Sequence, residues 1–187
     1  MEIAHIHLTA LELEQGLAHV LASPHDKGLV RAIFVRPREN ERQSLAAAML
    51  SPEGGVEGDR WPTDHWQKLP DGRSDPKSQV SLMNSRVLEL MAGEEAAMGL
   101  SGDNLIVDLN LSDQNLPAGR HLHIGENVVL EITEQAHYGC GKFSRRFGQQ
   151  AREFINGPQG RHLNLRGRFG RIITGGTINV GDAVVKA

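Results

Sequence analysis

Cys140 is the residue with the greatest chemical potential, because it is the only cysteine of the chain. Three basic side chains follow it within six residues: Lys142, Arg145 and Arg146. A glycine on each side lets the backbone turn tightly and lets a second molecule come close. Nearby cations favour the thiolate, which is the reactive and metal-binding form of cysteine. The stretch predicts an exposed, activated sulfur on a loop, and the competing interpretation is a small buried core residue.

The charge of the chain is unevenly distributed around this cysteine. Residues 137–171 contain eight basic residues and one acidic residue, Glu153. Because the net charge of the whole chain is -3, the remaining residues carry about -10. A basic segment in an acidic chain indicates a local anion site rather than a nucleic-acid surface, although solvated arginines would give the same count. Together with a thiolate, it favours a phosphate-bearing or metal-oxo ligand.

The length and composition limit what can position these residues. A chain of 187 residues predicts one domain with a core of its own. Aromatic residues make up 4%, so the core must consist mainly of aliphatic side chains, and 21 glycines indicate many turns and short strands. A single cysteine excludes an internal disulfide. The start of the chain lacks the pattern of a signal peptide and no apolar run could span a membrane, so we expect a cytoplasmic protein.

Three segments predict helices, and one of them begins at Asn84, a suitable N-cap that is followed by the apolar residues Val87, Leu88, Leu90 and Met91 and precedes Gly99. Thr9 and Glu12 have the spacing of a capping box, and apolar residues at helical spacing follow until Pro24. We therefore expect residues 1–28 to form a helical leader that packs on a main domain of residues 29–187. Apolar residues at helical spacing predict one further helix over residues 142–155, directly after the cysteine.

The remaining chain predicts short strands separated by glycine-rich turns. Strands are expected at residues 29–36, 78–83, 102–109, 120–124, 127–133, 170–174, 177–180 and 182–185. This pattern predicts a mainly β fold, a closed β-barrel with a few helical insertions and the N-terminal helix. Residues 61–77 contain three prolines and few apolar residues, and a loop of this length is typically functional or disordered.

An ordered series of motifs resembles the MOSC domain, the module named after the C-terminal domain of molybdenum-cofactor sulfurase. The motifs are the strand at residues 29–36, GGVEGDR at 54–60, GDNL at 102–105, LPAGRHLHIG at 116–125, GCGK at 139–142, NLRGRFG at 164–170, GG at 175–176 and VGD at 180–182. One departure stands out: many relatives have a histidine after Gly58-Asp59 and a later His-Gly-Gly, whereas this chain has Arg60-Trp61 and a proline-rich loop. The resemblance therefore leaves the substrate side of the pocket open.

The resemblance implies a barrel of the pyruvate-kinase-barrel-like type and a link to the molybdenum cofactor, molybdopterin, or to sulfur transfer. Cys140 would then be the working residue, either as a metal ligand or as a persulfide carrier. The residues implied to contact the cofactor or order its pocket are Lys142, Arg145, Arg146, Arg166, Asn104, Asp59 and His137. Four of them also have plain structural interpretations: Asp59 and Asn104 in turns, Arg166 in an ion pair and His137 at the surface.

Three functions agree with these features. The first is a small molybdenum-cofactor-dependent reductase acting on a small molecule, with electrons from a separate reductase, since the chain shows no flavin, haem or iron–sulfur motif. The second is a sulfur carrier that accepts persulfide sulfur on Cys140 from a cysteine desulfurase. The third is a ligand-binding domain without catalysis. Neither a nucleic acid nor a membrane is expected as a partner.

Overall fold

The computed structural model describes residues 7–92 and 95–187. Its strands are β1 Gly28–Val35, β2 Gln43–Leu45, β3 Ala47–Ser51, β4 Gly55–Val56, β5 Val80–Asn84, β6 Leu105–Asp108, β7 His121–Ile124, β8 Val128–Ile132, β9 Arg168–Thr174, β10 Gly176–Asn179 and β11 Ala183–Lys186. Its α-helices are α1 Ala10–Leu21, α2 Ser85–Ala92, α3 Gly141–Phe147, α4 Gln149–Asn156 and α5 Pro158–His162. Short 3-10 helices occupy Pro76–Ser78 and Glu95–Ser101.

Seven strands close into a barrel in the order β1-β11-β7-β8-β9-β5-β6, and β6 pairs again with β1. Closure joins the first strand to the last, because Gly28 of β1 faces Val184 of β11. Among the strands of the described residues, only β5 and β6 pair in parallel, and β2 extends the sheet beyond β1. A small second sheet has the order β10-β3-β4. The predicted closed, mainly β barrel is confirmed.

The barrel interior is aliphatic, as the low aromatic content requires. It is filled by valine, leucine and isoleucine side chains from all seven strands, with Leu82, Leu105 and Leu130 fully buried. The exposed or polar residues alternate with them along most strands, as expected for a surface with one buried face. Strand β5 is an exception because it is buried on both faces. Its outward Met83 contributes to a second core between barrel and helices.

The second core joins the helices to the barrel wall. Leu13, Leu17 and Val20 of α1 pack there with residues of α2, α3 and α4. Helix α1 begins as predicted, since Thr9 and Glu12 form the reciprocal capping box. Residues 1–6 of the predicted leader lie outside the described residues, and the division into a leader and a main domain stays a prediction.

The prediction of one helix over residues 142–155 is wrong, because Gly148 divides it into α3 and α4. Gly148 has φ +94°, a left-handed conformation that interrupts a right-handed helix. An added Cβ there would lie 2.9 Å from Cγ of His7, so the position is also closely packed. A further short helix, α5, follows where Pro158 at its first turn starts a new helix instead of a loop. These breaks place three short helices around the cysteine loop.

Candidate functional site

Cys140 lies at the end of the loop that joins β8 to α3, and it is exposed. Its position is fixed by α4 through the preceding peptide group. Gly139 N donates to Asn156 Oδ1 at 2.9 Å, and Asn156 Nδ2 donates to Gly139 O at 2.9 Å. Arg152 Nε donates to the same carbonyl at 3.1 Å. The thiol is therefore held on a clamped backbone, although its side chain is accessible.

The two glycines beside Cys140 have different roles. A Cβ on Gly139 would lie 2.7 Å from Ile155 Cδ1, so this position has no space for a side chain. A Cβ on Gly141 would meet nothing closer than Arg145 Nη1 at 3.9 Å. Neither glycine has a positive φ, so a tight turn is not the reason for either. Close packing explains Gly139, whereas Gly141 leaves open space beside the sulfur.

The pKa of the Cys140 thiol is lowered. Partial burial is the largest single influence and raises it, but several smaller effects together outweigh it. These are the backbone N–H groups of Phe143 and Lys142 in the first turn of α3, and the positive charge of Arg166. Because the side chain makes no capping hydrogen bond of ordinary geometry, the N–H groups act as nearby dipoles. The site therefore favours the nucleophilic and metal-binding thiolate.

The sulfur opens on a cavity of about 150 Å³, here named the cysteine cavity. Seven cationic side chains line it: Arg36, Arg38, Arg42, Arg60, Lys142, Arg146 and Arg166. One carboxylate, Glu41, lines it as well. Four of the seven pair with carboxylates: Arg36 with Asp59, Arg60 with Asp64, Lys142 with Glu39 and Arg166 with Asp103. The excess of positive charge therefore rests on Arg38, Arg42 and Arg146. Positive charge in a partly enclosed space attracts anions.

Some of these cations are not neutralised by the protein. Arg42 and Arg146 form no ion pair with a carboxylate among the described residues, and both approach Gly102. Burial lowers the pKa of Arg42, and its neighbours Arg146 and Arg36 lower it further. Burial also lowers the pKa of Arg146. The buried Nε atoms of Arg42 and Arg166 have no hydrogen-bond partner in the part of the chain that the structure describes. Unpaired buried donors are costly, so the cavity is suited to an anionic acceptor.

Asp59 and Asn104 form a support behind the cavity wall. Asp59 accepts from Arg36 Nε at 2.9 Å and from Arg36 Nη2 at 3.0 Å, a bidentate pair, and Asn104 Nδ2 donates to Asp59 at 3.0 Å. Asn104 Oδ1 also accepts from the backbone of Ser81. Burial raises the pKa of Asp59, but the hydrogen bonds and charge of Arg36 lower it more, so the net direction is downward. These two residues orient Arg36 and do not line the cysteine cavity.

Arg166 is held by a second buried carboxylate. Its Nη1 donates to both oxygens of Asp103 at 3.0 and 2.8 Å, and its Nη2 donates to Ser101 O at 3.1 Å. Its guanidinium also lies over the ring of Phe143. Arg166 is therefore both an ion-pair partner and part of the cavity wall, with its Nε still unused.

His137 lies on the far side of Arg166. Burial lowers its pKa well below the usual value, and the charges of Arg166 and Arg36 add to this. The neutral ring lies 4.2 Å, centroid to centroid, from Phe169, and Nδ1 is 3.5 Å from Arg166 Nη1. It lines a separate cavity of about 470 Å³, here named the rear cavity, which Arg166 also lines.

Three of the candidates implied by the family resemblance, Lys142, Arg146 and Arg166, share the cysteine cavity with Cys140. Arg145 lies on the same helix but is exposed and outside the cavity lining. The sequence interpretation missed the cations that the cavity receives from another part of the chain, Arg36, Arg38, Arg42 and Arg60. Three arginines lie within residues 36–42 and could have indicated this local positive charge. They were missed because the charge was summed over all residues outside 137–171, and that sum is negative.

The described residues contain neither a cluster of metal-binding side chains nor a membrane-spanning helix. No group of three or more histidine, cysteine, aspartate or glutamate side chains lies close enough to hold a metal ion in the described part of the chain. Among the helices of that part, none is long and apolar enough to cross a membrane.

A family model for the MOSC domain matches residues 70–185. The chain belongs to the MOSC family. The match contains Cys140 and the segments that hold it, and it confirms the resemblance read from the motifs. The MOSC domain family is associated with the molybdenum cofactor. No curated protein is similar enough to the chain to count as a match.

Solved structures share the fold of this MOSC protein. YuaD from Bacillus subtilis is 14% identical with a TM-score of 0.59, and the alignment covers 86% of this chain and 95% of YuaD. YiiM from Geobacillus stearothermophilus is 15% identical with a TM-score of 0.54, covering 86% of this chain and 75% of YiiM. YiiM from Escherichia coli is 15% identical with a TM-score of 0.53, covering 87% and 69%. At these identities the likeness concerns the fold alone.

Proposed function

We propose that this MOSC protein binds a molybdopterin-type molybdenum cofactor and acts as a small reductase-type enzyme with Cys140 as the protein ligand of the metal. The observation that carries the proposal is an exposed thiol of lowered pKa in the lining of a cavity that also contains Arg42 and Arg146, two cations without a carboxylate partner among the described residues. A thiolate is a suitable ligand for a soft or thiophilic metal. The cations are suitable for the phosphate that such a cofactor carries.

The donors of the cavity fit that group. The buried Nε atoms of Arg42 and Arg166 have no hydrogen-bond partner among residues 7–92 and 95–187, and a phosphate oxygen would satisfy them. Arg42 and Arg146 would lose part of the repulsion that now lowers the pKa of both. In this proposal Lys142 contributes one further positive charge, although Glu39 already pairs with it.

The remaining named residues would act through their neighbours. Asp59 and Asn104 keep Arg36 in a fixed orientation, so the cavity does not have to reorganise when an anion enters. Asp103 does the same for Arg166. The neutral His137 accepts from Arg166 and keeps a charge away from that side of the arginine.

When bound, the cofactor supplies a redox-active metal for two-electron chemistry on a small molecule. The protein holds Cys140 as a thiolate ready to act as a ligand, and the open space beside Gly141 leaves room for the group it binds. Electrons would come from a separate reductase.

The test is the metal content of protein purified from molybdenum-replete cells. We expect about one molybdenum per chain by elemental analysis, and loss of the metal in Cys140→Ser. Arg145→Gln, which removes an exposed charge outside the cavity, should retain the metal. Arg42→Gln combined with Arg146→Gln should lower retention, because both cations face the cavity. Metal-free wild-type protein that also fails to take up added cofactor would overturn the proposal.

The exposure of Cys140 favours a second candidate, a sulfur carrier. The Cys140 thiolate would attack the terminal sulfur of a persulfide on a cysteine desulfurase, forming a Cys140 persulfide and releasing the donor's thiolate. Incubation with a desulfurase and cysteine should then add one thiol-releasable sulfur to the mass of the protein. An unmodified mass under these conditions, with metal retained as above, would reject the carrier and keep the enzyme.

A further inference from the structure

The rear cavity holds no ligand in the proposed function, which places the cofactor in the cysteine cavity. Its volume of about 470 Å³ is ordinary for a site that binds a small organic molecule. Such sites combine apolar walls with a few polar groups that fix the orientation of the ligand. The apolar part of the lining consists of Pro117, Ala118, Ala136, Tyr138 and Ile155. Four of these five side chains are aliphatic, so the wall is suited to a short aliphatic chain.

Charge pairing leaves one cation of the rear cavity unmatched. Arg161 lines the cavity and forms no ion pair with a carboxylate in the described part of the chain. The single unmatched charge favours a ligand that carries one negative charge. The other charged side chains of the lining all have partners, in the pairs Arg166–Asp103, Arg168–Asp113 and Glu134–Lys77.

The guanidinium of Arg161 is held in place beside the apolar wall. Its Nε donates to Asn156 O at 2.6 Å, and its central carbon lies 5.2 Å from the centre of the Tyr138 ring. Nη1 and Nη2 donate to no described residue, and Arg161 is exposed, so a ligand can reach them. Two parallel N–H groups match the two oxygens of a carboxylate. Because the side chain is already oriented, binding costs less conformational entropy.

His137 adds an accessible donor to the same lining. Its ring is neutral, and Nδ1 lies 3.5 Å from Arg166 Nη1, which can only donate, so the ring proton is assigned to Nε2. Nε2 makes no hydrogen bond with a described residue, and it is not among the fully enclosed polar atoms that lack a partner. The side chain as a whole is 13% exposed. A ligand in the rear cavity can therefore accept a hydrogen bond from this atom.

We infer that the rear cavity binds a small aliphatic monocarboxylate, whose carboxylate pairs with Arg161 and accepts from His137 Nε2 and whose chain lies on the apolar wall. This class of ligand uses the unmatched charge, the accessible donor and the aliphatic surface together. An inorganic anion would leave the apolar wall unused. The inference goes beyond the proposed function and stands without it, because it requires neither a metal nor Cys140.

Tyr138 makes binding measurable, because it is the only tyrosine of the chain and lines the rear cavity. Protein labelled with ¹³C-tyrosine therefore gives one set of tyrosine ring signals in an NMR spectrum. Hexanoate is the probe, and hexanamide is its matched control, since it has the same chain length without the charge. We expect hexanoate to shift the Tyr138 ring signals in a saturable titration and to bind about tenfold more tightly than hexanamide.

Variants separate the contributions of the two polar side chains. Arg161→Gln removes the charge at an exposed position where the fold should be unaffected, and hexanoate should then bind no more tightly than hexanamide. Arg145→Gln, at an exposed position outside this lining, is the control and should retain the preference for hexanoate. His137→Phe keeps a ring against Phe169 but removes the Nε2 donor, so hexanoate should bind about threefold more weakly.

Two results would overturn the inference: Tyr138 ring signals that hexanoate leaves unmoved, or a preference for hexanoate over hexanamide that survives in Arg161→Gln. The second measurement decides even if His137→Phe does not fold. Cys140→Ser should bind hexanoate like the wild type. Failure of metal retention would therefore reject the proposed function alone, and failure of hexanoate binding would reject this inference alone.

Discussion

The cysteine cavity and the rear cavity meet at Arg166, and they differ in size and in charge balance. The rear cavity is about 470 Å³ and the cysteine cavity about 150 Å³. In the rear cavity, Asp113 pairs with Arg168 and Glu134 also lines the wall. Arg161 lies over the ring of Tyr138 at 5.2 Å. The larger space is thus nearly balanced, whereas the smaller one carries a marked excess of positive charge.

The difference shows which property points to chemistry. Volume alone would favour the rear cavity, yet its titratable groups are mostly paired, and its histidine is held neutral. The cysteine cavity has less space but combines a thiol of lowered pKa with two cations, Arg42 and Arg146, that have no carboxylate partner in the described part of the chain. An unpaired buried charge is costly, and it persists where binding requires it. Uncompensated charge is therefore the better guide here.

The largest expected loss of stability comes from removing the carboxylate that holds Arg166, the residue that lines both cavities. Asp103→Ala leaves the buried Arg166 without its carboxylate, and removal of one partner from a buried ion pair costs about 3–5 kcal/mol of unfolding free energy. Urea denaturation followed by circular dichroism measures the loss. Asp71→Ala removes an exposed carboxylate that also pairs with an arginine and should leave the midpoint nearly unchanged. Equal effects of the two substitutions would show that burial of Asp103 does not matter.

The next largest effect on stability distinguishes the two glycines that flank Cys140. Gly139→Ala brings a Cβ against Ile155, a residue of the rear-cavity lining, and overpacking of this kind costs about 1–3 kcal/mol. Gly141→Ala points into open space and should change stability by less than about 0.5 kcal/mol. Thermal or urea unfolding of both variants checks this. A Gly141→Ala variant as unstable as Gly139→Ala would contradict the geometry.

The neutral His137 of the rear cavity predicts a pH dependence. Its folded pKa is lowered well below 6.5, so below pH 6.5 the unfolded chain takes up a proton that the folded chain does not. Stability is therefore lost as the pH falls below 6.5, by up to about 1.4 kcal/mol per pH unit from this group. His137→Gln should flatten the curve of unfolding free energy against pH in this range. His123→Gln, at an exposed position on β7, is the control and should keep the wild-type slope.

The smallest effect concerns the cations of the cysteine cavity. Arg146→Gln removes a charge that interacts with the Cys140 thiolate, so the thiol pKa should rise and alkylation by iodoacetamide at pH 7 should slow about threefold. Arg145→Gln removes the same charge from the neighbouring exposed position and should slow it less. The pH at which the rate is half-maximal gives the pKa directly. Equal slowing by both variants would mean that position relative to the cavity is irrelevant.

The sequence predicted the barrel well because its signals are local. Short aliphatic strands, glycine turns and the Thr9 capping box each act over a few residues. The helix break at Gly148 was missed because apolar spacing continues through it, while its φ and the contact with His7 are tertiary facts. The interpretation of Cys140 as exposed was correct, since cations and glycines nearby argue against burial.

The site was predicted only where its residues are close in sequence to Cys140. Arg36 and Arg42 enter the cavity from the segment after β1, and nothing local reveals that the barrel brings them to the cysteine. The roles of Asp59 and Asn104 behind Arg36 also depend on this closure. Family motifs identified these two positions, but the contacts show them supporting an arginine that the motifs did not single out.

The pairing of Gly28 with Val184 closes the barrel between its first and last strands. The two paired residues therefore lie far apart in the sequence. Contacts of such high sequence separation form late and slowly in folding. Arg36 and Arg166 line one cavity with Cys140 only in the folded chain, so the unfolded chain carries a thiol without these cations around it. The alkylation rate of Cys140 during refolding would therefore report when the cavity forms.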